Sequence, residues 1–217
     1  MRTLYEKCVP NIATTAALLF ILPTVAININ YLIAASEGFV PWCIPYWDSC
    51  TSISATGRHG TGFYFFKATM LPISLLYLHY WLQCSARLEA SNNRQRWILY
   101  LGVFAVAALI TYTLSLGAVG DNFQLIRRIG IIFFFTLTYL CQLLVIQRLD
   151  VLGVKNVVMQ WQLRLCLLIL GIGILTLFLD VLMSNYGDIE DAFEWVIALL
   201  VHINFLLATF SWKSLPE

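Results

Sequence analysis

The chain has 217 residues, 60% of them hydrophobic and only 12% charged, with a mean hydropathy of +0.78 and a formal net charge of +1. Soluble domains carry about 25% charged residues, so this balance excludes a water-soluble domain and predicts a chain that lives in a bilayer. The near-neutral charge, without any basic run, also excludes nucleic acid as a partner.

A bilayer core about 30 Å thick takes roughly 20 apolar residues per helix. Six segments meet that length: Ile12–Ala35, Phe63–Ser85, Trp97–Leu116, Phe123–Gln147, Trp161–Ser184 and Phe193–Trp212. They are continuously apolar rather than alternating, which argues against a strand-built barrel. The expectation is an all-α integral membrane protein, a six-transmembrane helix bundle forming one domain over residues 1–217. The first segment exceeds a signal-peptide core and lacks a small-residue cleavage site, so it reads as a retained span. Its Pro23 predicts a kink, and Asn28 and Asn30 predict an amide pair turned toward protein rather than lipid. A polar loop, residues 36–62, separates the first two spans and is the one long stretch rich in Gly, Pro, Ser and Thr. A loop of that length is functional or disordered, and Trp42, Tyr46 and Trp47 argue against disorder. The second span contains Pro72, again a predicted kink.

Lysine and arginine orient the bundle. With the N-terminus inside, the inner side collects Arg2, Lys7, Arg87, Arg94, Arg96, Arg148, Lys155, Arg164 and Lys213, and the outer side only Arg58, Lys67, Arg127 and Arg128, nine against four. Both termini are then cytosolic and the long loop is outside. Trp81, Trp97, Trp161, Trp195 and Trp212 fall at predicted span ends, as an interfacial belt requires. Cys84, Cys141 and Cys166 read as packing residues, and Cys8 lies on the reducing side. Cys43 and Cys50 share the outer loop, where both a disulfide and two free thiols stay open. Without a Cys-x-x-Cys pair or a histidine cluster, neither a metal nor another cofactor is expected.

Ionisable residues within spans mark function or a buried partner. Lys67, Arg127, Arg128, Asp180 and Glu194 all fall about one turn from the outer ends, level with Asp48, Arg58 and His59 of the loop. That predicts one outward-facing bowl holding both signs of charge. Structural alternatives stand beside it: Lys67 and Arg127 snorkelling to the interface, Asp180 or Glu194 pairing with those cations to join helices, Glu194 favoured by a helix N-terminus. His202, near mid-membrane, reads as an interhelical hydrogen-bonding residue. The run Thr51 to Gly62, with Ser54, Thr56 and Arg58, offers hydroxyls, glycine-freed amides and a cation, a combination that cradles phosphate. It is not a Walker motif, and a serine nucleophile with His59 as base lacks a Gly-x-Ser-x-Gly elbow.

The segment Ser-Ile-Ser-Ala-Thr-Gly at 52–57, followed by an aromatic helix start and Pro72, resembles the DRAM / post-GPI-attachment-to-proteins factor 2 family of six-span membrane proteins. Tyr80-Trp81 is similar to the ending of that family's second span, and Phe193-Glu194-Trp195 to the acidic-aromatic pair opening its last. In the fourth span, Tyr139 and Gln142 follow Arg128 and a phenylalanine run, with arginine where the family places histidine. Ser211-Trp212-Lys213 departs from the family's Asp-Phe ending. The resemblance implies lipid handling at the luminal leaflet: remodelling of GPI-anchor fatty chains in one branch, modulation of autophagy or lipid asymmetry in others.

The leading expectation is therefore a protein that binds or remodels a phospholipid or glycolipid at the outer leaflet, with membrane lipids as its partners. It would sit in a secretory-pathway membrane in a eukaryote or the inner membrane in a bacterium. If it is an enzyme, acyl transfer is the reaction, with His59 as base. The alternatives are a regulator that docks a membrane protein partner through the loop, and a small transporter.

Overall fold

The computed structural model describes residues 11–89, 96–154, 156–183 and 185–214. Arg2, Lys7, Cys8, Arg94, Lys155 and the side chain of Asp188 lie outside the described residues. Among the described residues eight helices follow one another: α1 Ile12–Ser36, α2 Pro45–Asp48, α3 Ile53–Thr56, α4 Gly60–Glu89, α5 Trp97–Ser115, α6 Asp121–Val151, α7 Val157–Leu182 and α8 Gly187–Lys213.

Local signals set the ends. Asn11 accepts the Thr14 amide at 2.8 Å and Asn156 accepts that of Met159 at 2.7 Å, so each caps its helix with a side-chain oxygen. Helix α1 stops where Gly38 takes a φ of +77° and the Phe39 amide turns back to Ala34 at 2.9 Å. Helices α4, α6, α7 and α8 run several residues beyond the apolar segments expected from the sequence. A helical hydrogen-bond ladder continues into water wherever no residue breaks it, whereas hydropathy stops at the hydrocarbon edge. Pro23 and Pro72 each lie inside a single continuous helix.

Among the described residues five helices are long and apolar enough to cross a membrane: α1, α5, α6, α7 and the Ile189–Lys213 part of α8. The sixth long helix, α4, has 30 residues. Lys67, His79, Gln83 and Arg87 dilute its hydropathy. The chain is thus a helical protein of membrane composition.

Helix α1 lies between α4 and α8, α4 packs on α5, α5 on α6, and α7 leans mainly on α8. The core is aromatic. Tyr77 meets Phe134 and Phe205 at centroid distances of 5.3 and 5.4 Å, and Tyr80 meets Phe205 at 5.3 Å, all edge-on. Gly102 leaves room for the Trp81 ring, which any Cβ there would strike.

Of the tryptophans expected in an interfacial belt, Trp97 and Trp161 are exposed. Trp81, Trp195 and Trp212 are buried, and the last two donate to the Thr51 carbonyl at 2.8 Å and the Tyr80 hydroxyl at 3.0 Å. Span ends are also where long helices meet loops and one another, and a ring with one N–H suits that burial as well as an interface. Helix α7 is the peripheral member, packed mainly on α8 and leaving most of its apolar side chains exposed.

The loop folds down on α1 and α8. Cys43 and Cys50 are disulfide-bonded. The Tyr31 hydroxyl accepts the Cys43 amide at 2.8 Å, Ser49 Oγ accepts the Ala192 amide at 3.1 Å, and Tyr46 packs edge-on against Trp195 at 5.2 Å. The Asn28 amide reaches the Tyr46 hydroxyl at 2.9 Å, and Asn30 reaches Thr56 at 2.8 Å, so both asparagines of α1 face the loop. Partial burial raises the Tyr46 hydroxyl above its ordinary pKa, with the Asn28 hydrogen bond working against that shift.

Candidate functional site

Where the loop runs into α4, an open groove of about 810 Å³ is lined by Glu37, Phe39, Arg58, His59, Gly60, Thr61, Phe63, Tyr64 and Gly117. That volume lies within the range of small-ligand sites, roughly 300–1,000 Å³. Ser52 starts the wall by capping α3, its hydroxyl accepting the Ala55 amide at 3.1 Å. One turn on, the exposed Arg58 donates to Ser54 Oγ at 2.7 Å, which aims the guanidinium without consuming its other donors. The His59 ring stacks on Phe39 at 5.5 Å.

The glycine-freed amide is already taken. Thr61 donates its N–H to the Glu37 carboxylate at 2.9 and 3.3 Å, so the chain's own carboxylate occupies the start of a 30-residue helix. Gly60 permits this. It sits at φ +58°, and a Cβ there would collide with the Glu37 carboxylate and the Phe39 ring.

The expected bowl of charges is divided. Arg58 and His59 line the groove, with Ser54 behind them. Thr56 is fully buried, accepting from Asn30 and donating to the Ile53 carbonyl at 2.8 Å, and so it ties the loop to α1. The Asp48 carboxylate caps α2, accepting the Ile44 amide at 2.7 Å.

Lys67 and Arg127 turn to the C-terminal end of α5. Lys67 donates to the Leu114 carbonyl at 3.2 Å and sits 4.0 Å over the Phe63 ring. Arg127 donates to the carbonyls of Ser115 and Ala118 at 3.1 and 2.9 Å. The last turn of a helix carries unpaired carbonyls and a negative dipole end, and both cations satisfy them. Arg128 and Asp180 are exposed at the loop end of α6 and α7, within electrostatic reach of Tyr186. Burial raises the Tyr186 hydroxyl, with a hydrogen bond from Thr176 opposing it.

Glu194 lies under α3, its carboxylate meeting the Ile53 backbone amide, with Asp191 and Arg58 within electrostatic reach. It tops a separate, mostly apolar cavity of about 40 Å³ that runs down the bundle axis past Tyr112 and Ala198 to His202. His202 Nδ1 shares a hydrogen bond of 3.1 Å with Thr24 Oγ1 on α1, matching the interhelical role expected of it.

Sequence reasoning nominated Arg58 and His59 but missed Glu37 and the ring walls of Phe39 and Tyr64. The signal for Glu37 was its position just past α1, one loop away from a glycine-led helix start that attracts an anion.

Helices of this length and composition around an aromatic core, with a charged groove at one end, define a polytopic helical membrane protein. Comparison with protein-family models, curated proteins and solved structures gives no match.

Proposed function

We propose that this is a lipid-handling membrane protein that binds a phospholipid or glycolipid headgroup in the groove between the loop and α4, at the outer or luminal leaflet. The observation that supports it most is an open groove at the end of the bundle that holds an exposed, pre-aimed arginine among aromatic walls. Guanidinium donors suit phosphate oxygens, and Phe39, Phe63 and Tyr64 suit the glycerol and first methylenes of a lipid at the interface. In this reading α4 is the sixth span, both termini are cytosolic as the lysine and arginine count requires, and the disulfide-bearing loop faces an oxidising space. The resemblance to the DRAM / post-GPI-attachment-to-proteins factor 2 family belongs to the same proposal, and remodelling by acyl transfer with His59 as base is its catalytic form.

The test is lipid binding by purified protein, read by native mass spectrometry. Arg58→Ala is expected to lower phospholipid affinity about fivefold or more. Glu194→Gln, which alters the acid beneath Arg58, is expected to have a smaller effect. Wild-type affinity in both variants would sink the site.

One observation favours a second reading, docking of a membrane protein partner. Trp47, Trp42 and Ile44 at the loop tip are 84%, 67% and 64% exposed, and aromatic anchors of this kind dominate protein interfaces. A stoichiometric protein that co-purifies with the wild type and is lost from Trp47→Ala, with no lipid retained in either, would replace the lipid reading.

A further inference from the structure

Two charges of opposite sign share the groove, and each has a partner that leaves capacity to spare. Arg58 uses its bond to Ser54 for aim, and a guanidinium has five donors. Glu37 accepts the Thr61 amide, and a carboxylate has about four acceptor sites. Among the described residues neither closes an ion pair with the other. Asp191 and Glu194 lie within electrostatic reach of Arg58 but do not line the groove. The start of α4 does not serve as the phosphate site, because Glu37 already fills it.

We infer that the groove selects a zwitterionic phospholipid headgroup, its phosphate on Arg58 and its ammonium on Glu37; this rests on the lipid reading above and names the class within it. A headgroup with net negative charge places its excess charge beside Glu37 and has no cation to offer it. A purely sugar headgroup leaves Arg58 and Glu37 without charged partners. A phosphate joined to an ammonium satisfies both walls at once. Specificity here is a difference between attraction and repulsion at two points, and both points are exposed, so the expected preference is modest.

The full-length protein in detergent is titrated, under native mass spectrometry, with dioleoyl phosphatidylethanolamine, phosphatidylcholine, phosphatidylglycerol and phosphatidic acid. The two zwitterionic lipids are expected to bind about fivefold more tightly than the two anionic ones, the upper end for one exposed charge pair. Glu37→Gln is expected to reduce that preference to less than about twofold. Phosphatidylglycerol bound as tightly as phosphatidylethanolamine by the wild type would overturn this inference and leave the lipid reading standing. Binding of none of the four, or undiminished binding of all four by Arg58→Ala, would overturn both. Displacement of lipid by an equal concentration of inorganic phosphate would identify a plain anion site and reject the inference. Because Glu37 also caps α4, the wild-type comparison is decisive even where the variant folds poorly.

Discussion

Arg58 and Arg127 stand at the same end of the bundle and do opposite work. Arg127 is half-buried and commits its guanidinium to the carbonyls of Ser115, at the end of α5, and of Ala118 in the turn that follows. Arg58 is exposed, is held by a single hydroxyl, and opens onto a groove. The difference comes from what each side chain finds nearby. The end of α5 presents unpaired carbonyls, which draw a cation inward. The end of α3 leaves Arg58 beside Ser54 and the groove. A cation that reaches the backbone carbonyls of a neighbouring helix end is therefore structural and one held by a single hydroxyl at the groove is available, although both look alike in sequence.

The largest expected loss of stability is at Arg127. Arg127→Ala leaves the Ser115 and Ala118 carbonyls without their charged donor and is expected to cost about 2 kcal/mol, read as a lower unfolding midpoint. Lipid affinity should stay within about twofold of wild type; a large loss of binding would move Arg127 into the site. Gly60→Ala comes next. It forces a side chain to positive φ and against Glu37, at an expected cost of about 1–2 kcal/mol, and it should also weaken the headgroup preference. An unchanged midpoint and preference would mean that Glu37 is not seated as described. Lys67→Met removes one half-exposed contact to Leu114 and should cost about 0.5 kcal/mol, close to the limit of thermal measurement. Arg58→Ala should shift stability least of all while lowering lipid binding most. Stability loss in Arg58→Ala to match that of Arg127→Ala would erase the distinction between the two arginines.

Much of the fold was legible in advance because a span needs a long run of apolar residues, and hydropathy reports that directly. The long helices begin and end within a few residues of the expected segments. Helix α4 is the instructive case: its polar residues weaken the composition signal, yet the helix continues through them, and Thr69 and Ser74 satisfy their hydroxyls on carbonyls of their own helix. The site was half legible. Arg58 and His59 follow from a cation and glycine in a polar loop, whereas the single bowl of charge did not survive. Depth along a helix is written in residue number, but azimuth is not. Lys67, Arg127, Asp180 and Glu194 share a depth while facing different neighbours.

By itself the sequence determined a chain of apolar rods with one ordered polar loop, because composition and length leave a membrane helix bundle as the low-energy arrangement. That Arg58 rather than Arg127 stays open to the groove was decided by the tertiary structure. Only folding brings Glu37 to the start of α4, the end of α5 to Arg127 and Lys67, and Trp195 to the loop carbonyl of Thr51. Each is a pairing across tens of residues or more, except Arg127, which reaches back 12 residues to Ser115 and 9 to Ala118. In every case the deciding factor is the same: a buried or dipole-bearing backbone group takes the nearest side chain able to satisfy it, and the group left over is the one available to a ligand.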